Sequence, residues 1–150
     1  MLSALAVPRT GLFIALVVGM VALAGCDSRP PPTPCFPVTG SVTLNKKPLA
    51  TGTVKFAPDA SKGNTSKESA IGLIQPDGKY SLVTNGRSGA PLGWYKVTVE
   101  PTAVPGELPA GQAPPKPAAI NAKYKKAETS GILIEVTENP KPGAYDIDLK

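Results

Sequence analysis

From Phe36 to Lys150 the chain is written in short runs of alternating apolar and polar residues, each closed by glycine, proline or asparagine. A period of two marks strands with one buried face and argues against a helical domain. In the first run Phe36, Val38, Gly40, Val42 and Leu44 share one face, and Thr39, Ser41 and Thr43 share the other. Asn45-Lys46-Lys47-Pro48 turns the chain, and Val54 and Phe56 mark a second strand in Thr51 to Ala57. A polar loop, Pro58 to Lys67, leads to a third strand near Ser69 to Gln75. In Gln75-Pro76-Asp77-Gly78-Lys79, proline sits where φ near −65° is wanted and glycine where φ turns positive, which predicts a hairpin into Lys79 to Thr84. Strands at Gly93 to Glu100, Gly131 to Thr137 and Gly143 to Lys150 complete the set. The expected architecture is all-β: a seven-stranded antiparallel Greek-key β-sandwich of prealbumin or immunoglobulin-like layout.

Composition narrows the chemistry. The 150 residues include 18 prolines, 15 glycines, two cysteines and no histidine. A Ser-His-Asp triad, a Cys-His pair and a His-ligated metal are therefore excluded, and two cysteines cannot form a four-thiolate zinc site. No catalytic residue, metal or cofactor is expected, and the protein reads as a non-enzyme. The carboxylates are scattered; Asp146 and Asp148 alone form a close pair on one strand face. A calcium site needs six or more oxygens, so this pair reads as a solvated, edge-protecting face. Asp77-Gly78 reads as a turn, and the sequon Asn64-Thr65-Ser66 as coincidence.

The amino-terminal segment is an address. After Arg9, the stretch Gly11 to Leu23 carries no charge, and at 15 residues the run from Gly11 to Gly25 is shorter than the roughly 20 needed to span a bilayer. It ends in Leu23-Ala24-Gly25-Cys26. From Asp27 to Pro37 there are five prolines in 11 residues, a polyproline spacer reaching roughly 34 Å. Cys35 lies within it.

Charge and aromatics supply the candidate surface. Without Arg9 the chain carries 15 basic residues against 11 acidic ones, densest at Lys123, Lys125 and Lys126 around Tyr124. Few aromatics interleave with them, so no nucleic-acid partner is expected. With Tyr95, Val97 and Val99 facing the core, parity puts Trp94 and Lys96 outward. An outward indole either stacks on a sugar or peptide or lies under the proline-rich loop Pro101 to Ala119. Trp94, Lys96 and Tyr124 are the candidate binding surface.

Leu23-Ala24-Gly25-Cys26 resembles the lipobox of bacterial lipoproteins. The resemblance implies cleavage after residue 25 and a diacylglyceryl anchor on Cys26. With Cys26 taken up in a thioether, Cys35 would have no partner in the chain and would stand as a free thiol or as the link of a disulfide dimer. Val38-Thr39-Gly40-Ser41-Val42-Thr43-Leu44, Gly52-Thr53-Val54-Lys55-Phe56, Asp77-Gly78-Lys79-Tyr80-Ser81-Leu82 and Gly93-Trp94-Tyr95-Lys96-Val97-Thr98-Val99 resemble a carboxypeptidase regulatory-like domain, a transthyretin-like or CnaB-like sandwich. That module is non-catalytic. The implied layout is a signal peptide over residues 1–25, a lipidated linker over 26–35 and a domain over 36–150. The implied setting is the cell envelope, with the chain membrane-anchored through its lipid and facing the periplasm or exterior. The expected role is binding or scaffolding an extracytoplasmic protein or carbohydrate partner, or else spacing the envelope without a specific ligand.

Overall fold

A computed structural model describes residues 33–102 and 116–150. The expected signal peptide, Cys26 and the linker through Pro32 lie outside the described residues, as does most of the Pro101 to Ala119 loop.

The strands are β1 (Thr39–Leu44), β2 (Lys47–Pro48), β3 (Gly52–Pro58), β4 (Ala70–Ile74), β5 (Lys79–Thr84), β6 (Arg87–Ser88), β7 (Gly93–Glu100), β8 (Leu133–Val136) and β9 (Ile147–Leu149). Helix among the described residues is confined to two 3-10 turns, Ala60–Lys62 and Ala122–Lys125. The fold is all-β, and β5 and β7 keep the bounds expected from the alternation. Among the described residues nine strands stand where seven were expected. The additional two, β2 and β6, are two-residue returns after turns with positive φ at Asn45 (50°), Lys46 (66°), Asn85 (48°) and Gly86 (77°). Such turns match strand twist and carry pairing beyond themselves.

Strand order is β2-β1-β5-β4-β3-β7-β8, with β6 on β5 and β9 on β1. Among the described residues every pairing is antiparallel except one: β9 runs parallel to β1, which departs from the fully antiparallel expectation. Thr39 to Ser41 pair with β5 and Val42 to Leu44 with β9, the two partners lying on opposite edges of β1: the Val42 N–H donates to the Gly78 carbonyl before β5 at 2.8 Å, and the Asn45 N–H to the Leu149 carbonyl of β9 at 2.9 Å. The carboxylate of Asp146 accepts from the Ser41 N–H at 2.8 Å and the Ser41 hydroxyl at 2.9 Å. That of Asp148 accepts from the Thr43 hydroxyl at 2.9 Å. Two acids two residues apart thus meet two hydroxyls two residues apart, which sets the register of the parallel pair. The Asp146 and Asp148 pair is a ladder between strands, not only a solvated edge.

Inward residues of all the long strands meet in one core that includes Val54, Phe56, Tyr80, Leu82, Tyr95, Val97, Val99, Val136 and Leu149. Each such large side chain contributes about 1.5–3 kcal/mol by leaving water. The Phe56 ring packs between those of Tyr80 and Tyr95, at 6.2 and 5.9 Å between centroids. The buried Tyr80 hydroxyl donates to the Tyr145 carbonyl at 2.5 Å, tying the approach to β9 across β1. Burial pushes this phenol well above its ordinary pKa, so it stays a donor. Gly40 lies beneath this tie, where a Cβ would run into the Tyr145 carbonyl and come within 3.0 Å of the Tyr80 hydroxyl.

Candidate functional site

Strand β7 turns Tyr95, Val97 and Val99 into the core and Trp94, Lys96 and Thr98 to the outer face, as parity requires. Next to it on β8, Glu135 stands opposite Trp94 and Leu133 opposite Lys96. The outer face here therefore carries an indole, an ammonium, a carboxylate and an aliphatic side chain together.

The segment after β3 anchors Trp94. Asp59 caps the Ala60–Lys62 turn, accepting from the Ser61 N–H at 3.1 Å and its hydroxyl at 2.6 Å. Its N–H donates to the Trp94 carbonyl at 2.9 Å. The side-chain amide of Asn64 donates to the same carbonyl at 2.8 Å, while its oxygen accepts from the Ser66 N–H at 3.0 Å. The Asn64 side chain is thus buried and committed at both ends, so this sequon offers no free amide nitrogen. The Lys62 ammonium lies 4.4 Å from the centre of the indole, within cation–π range. The polar loop of the sequence reading is a clasp on β7.

Lys96 reaches Asp59 at 3.5 Å. The Ser61 hydroxyl, with help from the Ser61 N–H and Lys96, holds the Asp59 carboxyl below its ordinary value against the opposing effect of burial. Lys96 therefore neutralises an internal acid. Trp94 is half-buried and borders an open groove of about 660 Å³ with Leu133, Glu135, Pro140 and Lys141. The groove presents a flat apolar plane and an aliphatic patch with charges of both signs.

Trp94 and Lys96 come together as expected; Tyr124 does not join them. It sits buried in the Ala122–Lys125 turn. Its hydroxyl accepts from the Lys150 N–H at 3.3 Å, a bond that lowers its pKa, and Lys123 lies 4.7 Å from the ring centre. Its lysine neighbours suggest a surface position, but the turn directs the ring into the core and leaves the lysines outside. Cys35 is half-buried and free, its sulfur 3.8 Å from the Thr33 carbonyl.

Two exposed apolar groups escaped the alternation analysis. Leu133 is 45% exposed in the groove, and Ile71, Leu73 and Val83, at 47%, 67% and 44%, form a patch on the outer face of β4 and β5. The signal was present in the unbroken apolar runs Ala70-Ile71-Gly72-Leu73-Ile74 and Ile132-Leu133-Ile134, which place apolar residues on both faces of a strand.

Among the described residues no three His, Cys, Asp or Glu side chains gather into a possible metal site. Comparison with protein-family models, curated proteins and solved structures returned no match.

Proposed function

We propose that this chain is a lipid-anchored, non-enzymatic module of the cell envelope that binds a protein or carbohydrate partner through the outer face of β7 and β8. The anchor reading rests on Leu23-Ala24-Gly25-Cys26 at the end of an uncharged apolar run too short to span a bilayer. The non-enzymatic reading rests on the lack of histidine in the sequence. The finer fold reading, a Greek-key sandwich of the carboxypeptidase regulatory-like kind, is supported by the curled, mostly antiparallel sheet and by the resemblance in strand and turn residues.

One observation carries the binding role: Trp94 is held rigidly through its main chain while its indole borders an open groove with Leu133. A fixed aromatic anchor loses little entropy on binding, which is why such residues dominate recognition surfaces. A second reading, a spacer without a specific ligand, is favoured by Lys62, which already covers part of the indole.

The test is capture of partners from solubilised envelopes with the wild type and with Trp94→Ala. A binding module gives one stoichiometric partner, lost in the variant although the melting temperature stays within a few degrees. Empty captures, or a variant that loses stability and nothing else, support the spacer.

A further inference from the structure

Strand β8 ends the sheet path, so one of its edges pairs with β7 and the other has no strand beside it among the described residues. The hydrogen-bond phase of the β7–β8 ladder shows which groups that edge presents. The Val97 N–H donates to the Ile132 carbonyl at 2.9 Å, making this a hydrogen-bonded pair. In an antiparallel ladder such pairs alternate with non-bonded ones, so Tyr95 with Ile134 is bonded, and Lys96 with Leu133 and Trp94 with Glu135 are not. The N–H and C=O of Leu133 and Glu135 consequently point away from β7, towards the open edge. The side chains of the same two residues are exposed and line the groove beside Trp94.

We propose that β8 accepts an extended peptide segment of a partner protein as an added antiparallel strand, with the groove reading its side chains. This rests on the binding role proposed above and narrows the partner to polypeptide. Two N–H and two C=O groups, alternating at strand spacing, match another extended backbone; a sugar ring or a lipid chain does not present that array. Charge and polarity set the sequence. The residue opposite Glu135 is basic, to meet its carboxylate, and the residue opposite Leu133 is apolar, to cover that side chain and reach Trp94. Because the added strand runs antiparallel, the basic residue comes two positions before the apolar one. Leu133–Val136 contains neither proline nor lysine, so every backbone N–H on this edge is present and its one charge, on Glu135, is acidic.

The test uses synthetic peptides of about six residues, threonine-rich, with Lys or Arg two positions before Val, Ile, Leu or Phe. Backbone amide spectra of the full chain are followed during titration. The expected result is saturable binding that shifts and protects the Leu133 and Glu135 amides. Methylating the peptide nitrogens that would bond to β8 should weaken binding roughly tenfold or more. Glu135→Pro removes the outward N–H together with the carboxylate and keeps the β7 ladder, so it should melt normally and lose the peptide, whereas Glu135→Gln, which loses the carboxylate alone, should keep the backbone-driven binding and lose the preference for a base. Glu135→Lys should transfer preference to peptides carrying Asp or Glu in place of the base. Should Glu135→Pro fail to fold, the methylated peptides and Glu135→Lys decide. No binding by any member up to about 1 mM, or equal binding of methylated and plain peptides, overturns strand addition. An envelope partner lost with Trp94→Ala but kept with a folded Glu135→Pro overturns strand addition and leaves the binding role standing. Empty captures overturn the binding role itself.

Discussion

Asp59 shows how one side chain can organise a surface without taking part in chemistry. It is 3% exposed, yet it caps a turn, receives two bonds from Ser61 and meets Lys96. Its carboxyl is held below the ordinary value of 3.8, so the folded chain binds this proton less readily than the unfolded chain does. The stabilisation is therefore present above about pH 3.8 and is lost as pH falls through the lower folded value. Urea denaturation across that acid range should show wild-type stability falling towards that of Asp59→Asn, with the two well apart at neutral pH. Curves that stay parallel throughout would show that the charge on this carboxyl contributes nothing. Little of this was legible in the sequence, since Asp59 is one acid in a polar loop and its role depends on Lys96, which lies on a different strand. Trp94 was legible, because the parity of β7 alone determines its face. Tyr124 was misplaced for the opposite reason, since a 3-10 turn has no period of two to follow.

At the scale of the element, the β1–β9 pair depends on side chains as much as on backbone. Losing the Asp146 and Asp148 carboxylates removes bonds worth roughly 1 kcal/mol each. The Asp146→Ala, Asp148→Ala double variant should therefore exchange the amide protons of Ile147 to Leu149 faster than wild type while those of β3 and β7 stay slow. Uniform acceleration across the sheet, or none, would rule out a local ladder. The hairpin at Gln75 to Lys79 was fully legible: the Gly78 N–H donates to the Gln75 carbonyl at 2.8 Å, Gly78 has φ of 80° and Asp77 accepts from the Lys79 N–H at 3.0 Å. Turn chemistry is local, so a single sequence displays it. The parallel pairing of β9 was not legible, because alternation says which residues face inward and nothing about which strand lies alongside. The short strands β2 and β6 were hidden for a related reason: two residues cannot show a period.

For the molecule as a whole, the proposed lipid anchor and the domain make separate predictions. Lipidation implies that protein extracted from membranes has the mass of a chain beginning at Cys26 with a diacylglyceryl group added. Intact-mass spectrometry finding residues 1–25 still attached would exclude that anchor while leaving the sheet and its groove as described. The exposed Ile71, Leu73 and Val83 patch lies on β4 and β5, on strands other than those that carry the groove, so the two apolar surfaces can be altered independently. The tie between Tyr80 and Tyr145, together with the bonds from Ser41 to Asp146, also bears on how the fold is completed. These last bonds join residues 105 positions apart, so a polypeptide that emerges amino end first can pair β1 with β2 and β5 early but cannot fill its other edge until more than a hundred further residues have followed. During synthesis one edge of β1 therefore stays open, and the arrival of β9 is the event that completes its pairing.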